Sequence, residues 1–189
     1  MKRAASAPGA VRIIGGSLRG SKLAVPALAG LRPTPQRLRE TLFNWLMPVI
    51  EGARVLDLFA GSGALGIEAI SRGAAEALLI ESDRLQAQKI ATDLQRLRVL
   101  NAEVRYADAL EVLATLPTRP RDVVFLDPPF EANIWSRTAK LLDANCWAGP
   151  DTYVYMESPV DAAFELPARW GLHRETRAGA VRGALYRPD

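Results

Sequence analysis

The sequence predicts an α/β fold: a mostly parallel sheet with helices on both faces, ending in an antiparallel hairpin and preceded by a small β-hairpin and a helix. Three observations lead there. From Ala53 onward, apolar runs of strand length alternate with segments of helical period, the pattern of parallel strands joined by right-handed helical crossovers. The first of these runs breaks into a glycine-rich turn and then a helical pattern. The last part of the chain carries two strand-like runs, residues 171–176 and 181–186, around Ala178-Gly179-Ala180.

Taken in order, residues 1–10 are rich in Ala, Ser, Pro and Gly without periodicity, and are expected to be a flexible tail. Residues 11–14 and 21–25 read as short strands of a hairpin around Gly15-Gly16-Ser17-Leu18-Arg19-Gly20. After Leu31-Arg32-Pro33-Thr34-Pro35 a helical pattern covers about 36–50, with Thr34 expected as N-cap and Pro35 in the first helical position. Strands are then expected at 54–58, 77–80, 103–106, 123–126 and 153–156, and helices at 64–72, 84–100, 109–116 and 134–142. This divides the chain into the tail, a hairpin-and-helix extension over 11–50 and a main domain over 51–189.

A length of 189 residues suits one domain, and 49% hydrophobic with 24% charged residues is the composition of a soluble globular protein with a core. No apolar stretch approaches the roughly 20 residues of a membrane span, and the basic start is not followed by the apolar run of a signal peptide. A cytoplasmic monomer is expected. The one cysteine, Cys146, cannot form an internal disulfide and is expected as a small half-buried hydrophobe; His173, the one histidine, suits a surface or packing role. No metal-ligand set is legible, so no metal is expected. The net charge of +3 is uneven: residues 1–50 hold eight basic residues and one acid, Glu40, which leaves the rest net acidic. Such a segment suits a polyanion, phosphate above all.

Four segments carry chemistry. In Asp57-Leu58-Phe59-Ala60-Gly61-Ser62-Gly63, a buried strand runs into a turn whose glycines let a ligand approach the backbone. The acid before the first glycine is ill placed for a pyrophosphate; it suits a cationic ligand, such as the amino acid part of S-adenosylmethionine. In the second segment Glu81, followed by Ser82, stands 20 residues after Gly61, where the next strand of a βαβ unit offers a carboxylate to ribose hydroxyls. Asp83 suits the cap of the following helix. In the third, Asp108-Ala109 ends a strand, and Asp108 suits either an adenine amino group or a helix N-cap. The fourth is Asp127-Pro128-Pro129-Phe130 after an apolar strand. Two prolines fix the exit from the sheet, the Asp127 carboxylate and the Pro128 carbonyl can accept hydrogen bonds from an amino group, and Phe130 offers a ring for stacking.

Residues 57–66 resemble the cofactor motif of class I S-adenosylmethionine-dependent methyltransferases, and Asp127-Pro128-Pro129-Phe130 resembles their motif for methylating exocyclic or amide nitrogen. With Arg12-Ile13-Ile14-Gly15-Gly16, Arg19-Gly20 and the stretch from Leu31 to Leu46, nearly the whole chain is similar to the RsmD-type ribosomal RNA guanine-N2 methyltransferases. One departure is Gln36, where the family commonly has Asp. The resemblance implies a Rossmann-like class I fold and S-adenosyl-L-methionine as cofactor, with S-adenosyl-L-homocysteine as product. It also implies, as substrate, small-subunit (16S) ribosomal RNA or an assembling small subunit. Cofactor contacts are expected from Asp57, Phe59, Ala60, Gly61, Ser62, Gly63, Glu81, Ser82, Asp108 and Ala109, and amine positioning from Asp127, Pro128, Pro129 and Phe130. RNA contacts are expected from Arg12, Arg19, Lys22, Arg32, Arg37 and Arg39, on an extension lying beside the body rather than inside it.

Three rival readings fit less well. A DNA adenine-N6 methyltransferase usually needs a recognition insert for which 189 residues leave little room. A protein glutamine N5 methyltransferase would prefer Asn in the fourth motif, and a non-catalytic nucleotide-binding module would have no use for Asp127 with both prolines.

Overall fold

A computed structural model describes residues 9–25 and 35–188. Most of the predicted tail, the Thr34 cap and Arg32 lie outside these residues.

The N-terminal hairpin pairs β1 (Gly9–Arg12) with β2 (Lys22–Val25), so the first strand takes in Gly9 and Ala10 from the expected tail. Next comes α1 (Gln36–Leu46), with Pro35 as its N-cap rather than its first helical residue. The expected helix to residue 50 stops at Leu46, and the amides of Val49 and Ile50 both turn back to the Leu46 carbonyl.

The main sheet contains β3 (Arg54–Asp57), β4 (Glu76–Glu81), β5 (Ala102–Tyr106), β6 (Arg121–Leu126), β7 (Ala148–Pro159), β8 (Trp170–Ala178) and β9 (Val181–Pro188). Its order is β5-β4-β3-β6-β7-β9-β8: the first five run parallel, and β9 and β8 return antiparallel. The crossovers are α2 (Ala64–Ser71), α3 (Arg84–Arg96), α4 (Ala109–Leu113) and α5 (Trp135–Ala144). This is the class I methyltransferase fold. Helix α3 ends short of the expected Leu100, and Arg98 just beyond it adopts φ 55°, which no right-handed helix continues through.

Alternation along the strands sorts the core into two layers. Val55, Leu79, Val123, Phe125, Tyr155 and Leu185 face α1, α2 and α3, with the Phe43, Phe125 and Tyr155 rings edge-on in sequence. Leu56, Ile80, Val124, Leu126, Val154 and Met156 face α4 and α5. Val11, Ile13 and Leu23 of the hairpin are buried in the first layer with Leu42 and Phe43. The hairpin and α1 are therefore part of the core, not an attachment beside it, because their apolar faces have no other place to leave water.

Cys146 differs from expectation. It is exposed with φ 59°, in the left-handed turn that lets Trp147 point inward. No described helix is long and apolar enough to cross a membrane, and the described residues hold no group of three metal-ligating side chains.

Candidate active site

Strand order reverses direction between β3 and β6, with β4 and β5 to one side and β7 to the other. The crevice at the carboxyl ends of such strands is where open α/β sheets bind ligands, because neighbouring loops part there. Asp57, Glu81 and Asp127 all stand at this edge, on or just past the ends of β3, β4 and β6.

The turn from Leu58 to Gly63 is pinned from both sides. The Leu58 amide donates to the Phe125 carbonyl at 3.1 Å and the Ala60 amide to the Ile80 carbonyl at 2.9 Å. Gly63 has φ 75°, a conformation that L side chains rarely adopt, and it opens α2. At Gly66 a Cβ would sit 2.8 Å from Leu79 Cγ, so its lack of a side chain brings α2 down onto β4. Phe59, Gly61 and Ser62 remain half-buried at the mouth, whereas Ala60 and Gly63 are buried beneath it.

The acids are tied into this turn. Asp57 is 2% exposed, and its Oδ2 accepts the Gly66 N–H at 3.0 Å, so it holds the start of α2 as well as facing the crevice. Glu81 accepts the Gly61 N–H at 2.7 Å and the Asp83 N–H at 2.8 Å, bridging the glycine turn and the loop beyond β4, which includes the exposed Ser82. Burial pushes the Asp57 carboxyl up to about 7; the Gly66 N–H opposes this, and the nearby Asp127 and Glu81 charges add to it. Burial likewise raises Glu81. The acids on the β3–β4 side, the buried Asp57 and the half-buried Glu81, give this end of the crevice a negative potential suited to a cation.

This cluster has a pH consequence. Because the Asp57 carboxyl is raised from 3.8 to about 7, the folded chain holds more protons than the unfolded one between those values. Its contribution to stability is full below about pH 4 and is lost as pH rises through 7. Urea unfolding across that range is expected to show wild-type stability falling relative to Asp57→Asn. Parallel profiles would contradict the burial of a titrating acid there.

Asp108 and Ala109 lie beyond β5. The exposed Asp108 caps α4, accepting the amides of Leu110 at 2.8 Å and Glu111 at 3.1 Å through one oxygen, and Ala109 is buried in the first turn. The capping alternative is thus realised, on the same side of the edge as Glu81. Asp83 caps α3 by accepting the Gln86 N–H at 2.9 Å.

Across the crevice, Asp127 is half-buried, Pro128 buried, and Pro129 exposed at the start of a short 3-10 turn, Phe130–Ala132. Phe130 is not a free-standing platform: it packs against Trp135 at 5.9 Å, and Trp135 stacks on Phe164 at 5.8 Å. The Trp135 indole N–H donates to the Glu157 carbonyl at 2.8 Å, joining the loop to β7. The 2% exposed Glu157 accepts the Tyr155 hydroxyl at 3.0 Å. Burial and the charges of Glu157 and Asp127 keep that phenol protonated, well above its usual range.

The basic residues separate into two groups. Arg12, Arg19, Lys22 and Arg37 lie exposed at the surface. Arg39 does not: it is 3% exposed and donates to the Arg12 carbonyl at 3.2 Å, with its guanidinium pKa lowered by burial against the fields of Glu68, Glu40 and Glu157. This removes Arg39 from the expected RNA-contacting set and makes it a strut between α1 and the hairpin. The hairpin turn rests on the far end of α2. The Ser17 amide donates to the Ser71 carbonyl at 2.8 Å, the Leu18 amide to Ser71 Oγ at 2.9 Å, and the amides of Ile14 and Gly15 to Glu68 at 2.7 and 2.8 Å. Arg19 therefore lies about 12 Å along the helix from the glycine turn.

The structure adds Glu68, Ser71, Arg72, Tyr155 and Glu157, none of which belongs to the four chemical segments of the sequence. The signal available for the acids is their place inside an apolar stretch, as in Leu65-Gly66-Ile67-Glu68-Ala69-Ile70 and Val154-Tyr155-Met156-Glu157. A buried acid at such a place must have partners.

The family model described as conserved hypothetical protein 95 matches residues 11–187. A relative from Escherichia coli (strain K12), ribosomal RNA small subunit methyltransferase D, is 50% identical over 185 residues, covering 97% of this chain and 93% of its own. The solved structure of putative methyltransferase yhhF from Escherichia coli superposes with a TM-score of 0.88 at 47% identity, over 96% of this chain and 99% of that one. An RNA methyltransferase from Salinibacter ruber in complex with S-adenosyl-L-homocysteine shares the fold, with a TM-score of 0.64 at 22% identity, over 84% of this chain and 95% of that one. With the glycine turn and the Asp127 loop facing each other across one crevice, this chain belongs to the conserved hypothetical protein 95 family, that of the RsmD-type methyltransferases.

Proposed function

We propose that this chain transfers a methyl group from S-adenosyl-L-methionine to the exocyclic N2 of a guanine in small-subunit ribosomal RNA. The observation that carries the reading is the pairing of a ligand turn lined by Asp57 and Glu81 with an Asp127-Pro128-Pro129 loop in the same crevice, in a chain 50% identical to a ribosomal RNA small subunit methyltransferase. The residues present fit the cofactor. The carboxyls of Asp57 and Glu81 suit a sulfonium and an ammonium, and Gly61 and Ser62 bring main chain to the mouth of the crevice, where a ligand can approach it. When bound, S-adenosyl-L-methionine supplies the methyl group.

The chain's residues do the positioning. Asp127 and the Pro128 carbonyl accept the N2 hydrogens, which draws the nitrogen toward tetrahedral geometry and localises its lone pair. Two prolines and the Phe130-Trp135-Phe164 stack keep that loop from yielding. Holding nucleophile and methyl carbon in line accounts for up to roughly 7 to 11 kcal/mol of barrier reduction in favourable systems. Guanine suits an acid at position 127, because its N1–H and N2–H lie side by side and a carboxylate accepts both. The base must leave its stack to reach the crevice, so an unpaired nucleotide is the expected target. Arg12, Lys22, Arg37 and the more distant Arg19 contribute docking charge, and Arg32 belongs with them by sequence.

Incubating the protein with tritiated S-adenosyl-L-methionine and RNA, DNA or protein acceptors tests the substrate class. Label is expected in small-subunit ribosomal RNA; incorporation into DNA or a protein glutamine instead would overturn the reading. Within the cofactor site, Glu81→Ala is expected to weaken S-adenosyl-L-homocysteine binding by roughly 1.5 to 3 kcal/mol, the range of a charge-assisted hydrogen bond. Equal affinity in calorimetric titration would remove Glu81 from the site.

A further inference from the structure

Beyond the N-terminal extension, the chain has a second concentration of positive charge. Residues 169–188 hold Arg169, Arg174, Arg177, Arg182 and Arg187 against one acid, Glu175; Arg169 and Arg187 also pair with Asp143 and Asp151 from elsewhere, which leaves the surplus on Arg174, Arg177 and Arg182. Residues 170–188 form the β8–β9 hairpin, and its placement differs from that of the N-terminal hairpin in one respect. Val181, Arg182 and Gly183 of β9 pair with Pro159, Ser158 and Glu157 of β7, and Met156 pairs with Leu126, the residue before Asp127. The turn at Ala178-Gly179-Ala180 therefore lies at the carboxyl edge of the sheet, the edge of the crevice. At about 4.8 Å per strand, β9 and β8 stand roughly 10 and 14 Å from the strand that carries Asp127. The N-terminal turn with Arg19 rests instead on the far end of α2.

Among the described residues no strand lies beyond the hairpin, although α1 packs against part of β8. β8 is the outermost strand, and residues 171–175 are all exposed, so main-chain N–H groups on its outer side have no neighbouring strand. Directly opposed residues share a face. Arg174 opposes Leu185, in the layer of α1 and α2, whereas Arg177 opposes Arg182, on the face of Ala184. The two arginines thus stand on opposite sides of one edge strand. Arg174 makes no ion pair among the described residues, and Arg177 is 63% exposed and 4.0 Å from Glu175, which also pairs with Arg182 at 2.9 Å. One carboxylate is shared by two guanidiniums, leaving an excess of positive charge at the edge.

We propose that the open edge of the β8–β9 hairpin is a second RNA-docking surface, with Arg174 and Arg177 gripping phosphates that flank the target nucleotide. The proposal rests on the reading of this chain as an RNA methyltransferase and adds where the substrate backbone lies. Arginine forks and edge-strand N–H groups are the donors that fix a nucleic-acid backbone without reading its bases. Charge on this edge adds affinity for the backbone beside the target nucleotide, while Arg19 holds RNA farther from the crevice.

The test compares wild type with Arg174→Gln/Arg177→Gln and with the charge-retaining Arg174→Lys/Arg177→Lys, using small-subunit ribosomal RNA in a salt series. The glutamine variant is expected to bind RNA roughly tenfold more weakly and to flatten the log–log salt slope by about 1.4 to 1.8, because two phosphates are no longer neutralised. KM for RNA should rise with kcat at saturating RNA and S-adenosyl-L-homocysteine affinity unchanged, and the lysine variant should recover most of the affinity. Unchanged binding and slope in the glutamine variant, with an active wild type, would overturn this docking surface alone. A wild type that neither binds nor methylates ribosomal RNA would overturn the proposed function and the docking surface with it.

Discussion

Replacing Asp127 by alanine is expected to lower methyl transfer by at least about 10²-fold, the loss seen when a preorganised polar group at a reacting centre is removed. Cofactor affinity should change little. Asp127 stands on the β6 side of the crevice, while the ligand turn and its anchoring acids belong to β3 and β4. In the proposed reading the side chain addresses the acceptor amine, and the main-chain and Glu81 contacts that pin the glycine turn do not involve it. Single-turnover transfer beside calorimetric titration with S-adenosyl-L-methionine separates the two effects. If binding collapsed together with activity, Asp127 would be a cofactor or folding residue.

The largest stability effect is expected at Glu68, far from the chemistry. Its carboxylate is fully buried, accepts the Ile14 and Gly15 amides at 2.7 and 2.8 Å, and is 2.8 Å from the Arg72 guanidinium. Glu68→Ala strands two main-chain donors and one mostly buried cation. Removing one partner of a buried pair costs about 3 to 5 kcal/mol, because the remaining charge stays out of water. Glu68→Gln, which keeps one acceptor oxygen, should cost less. Urea unfolding of the three proteins measures this; a loss below about 1 kcal/mol for Glu68→Ala would mean that the hairpin does not depend on this clamp.

The parts of the fold that are legible in the sequence are those in which one short segment carries its own signal. The buried strands are continuous apolar runs, the glycine turn follows directly on one of them, and Asp83 precedes a helical pattern that it caps. What stays hidden depends on contacts between distant segments. Arg39 stands in sequence among exposed basic residues, yet with Leu42, Phe43 and Leu46 it continues a stripe at helical spacing that faces the core. That spacing is readable; the carbonyl of Arg12 that makes such a position tolerable is not, because it comes from another element. Phe130 reads in the sequence as a lone ring for a base, whereas Trp135 and Phe164, from a helix and a loop brought together only by folding, complete the stack. The N-terminal hairpin reads as an attachment because its charges are conspicuous, while Val11, Ile13 and Leu23 between them go into the core.

The most direct test of the site assignment is the identity of the modified nucleoside. Small-subunit ribosomal RNA methylated by the protein, digested to nucleosides and separated with mass detection, should yield N2-methylguanosine, and Asp127→Ala should yield none. Methyl groups found on N6 of adenosine, or on a ring position of any base, would contradict an amine held by Asp127 and the Pro128 carbonyl in a pocket matched to guanine.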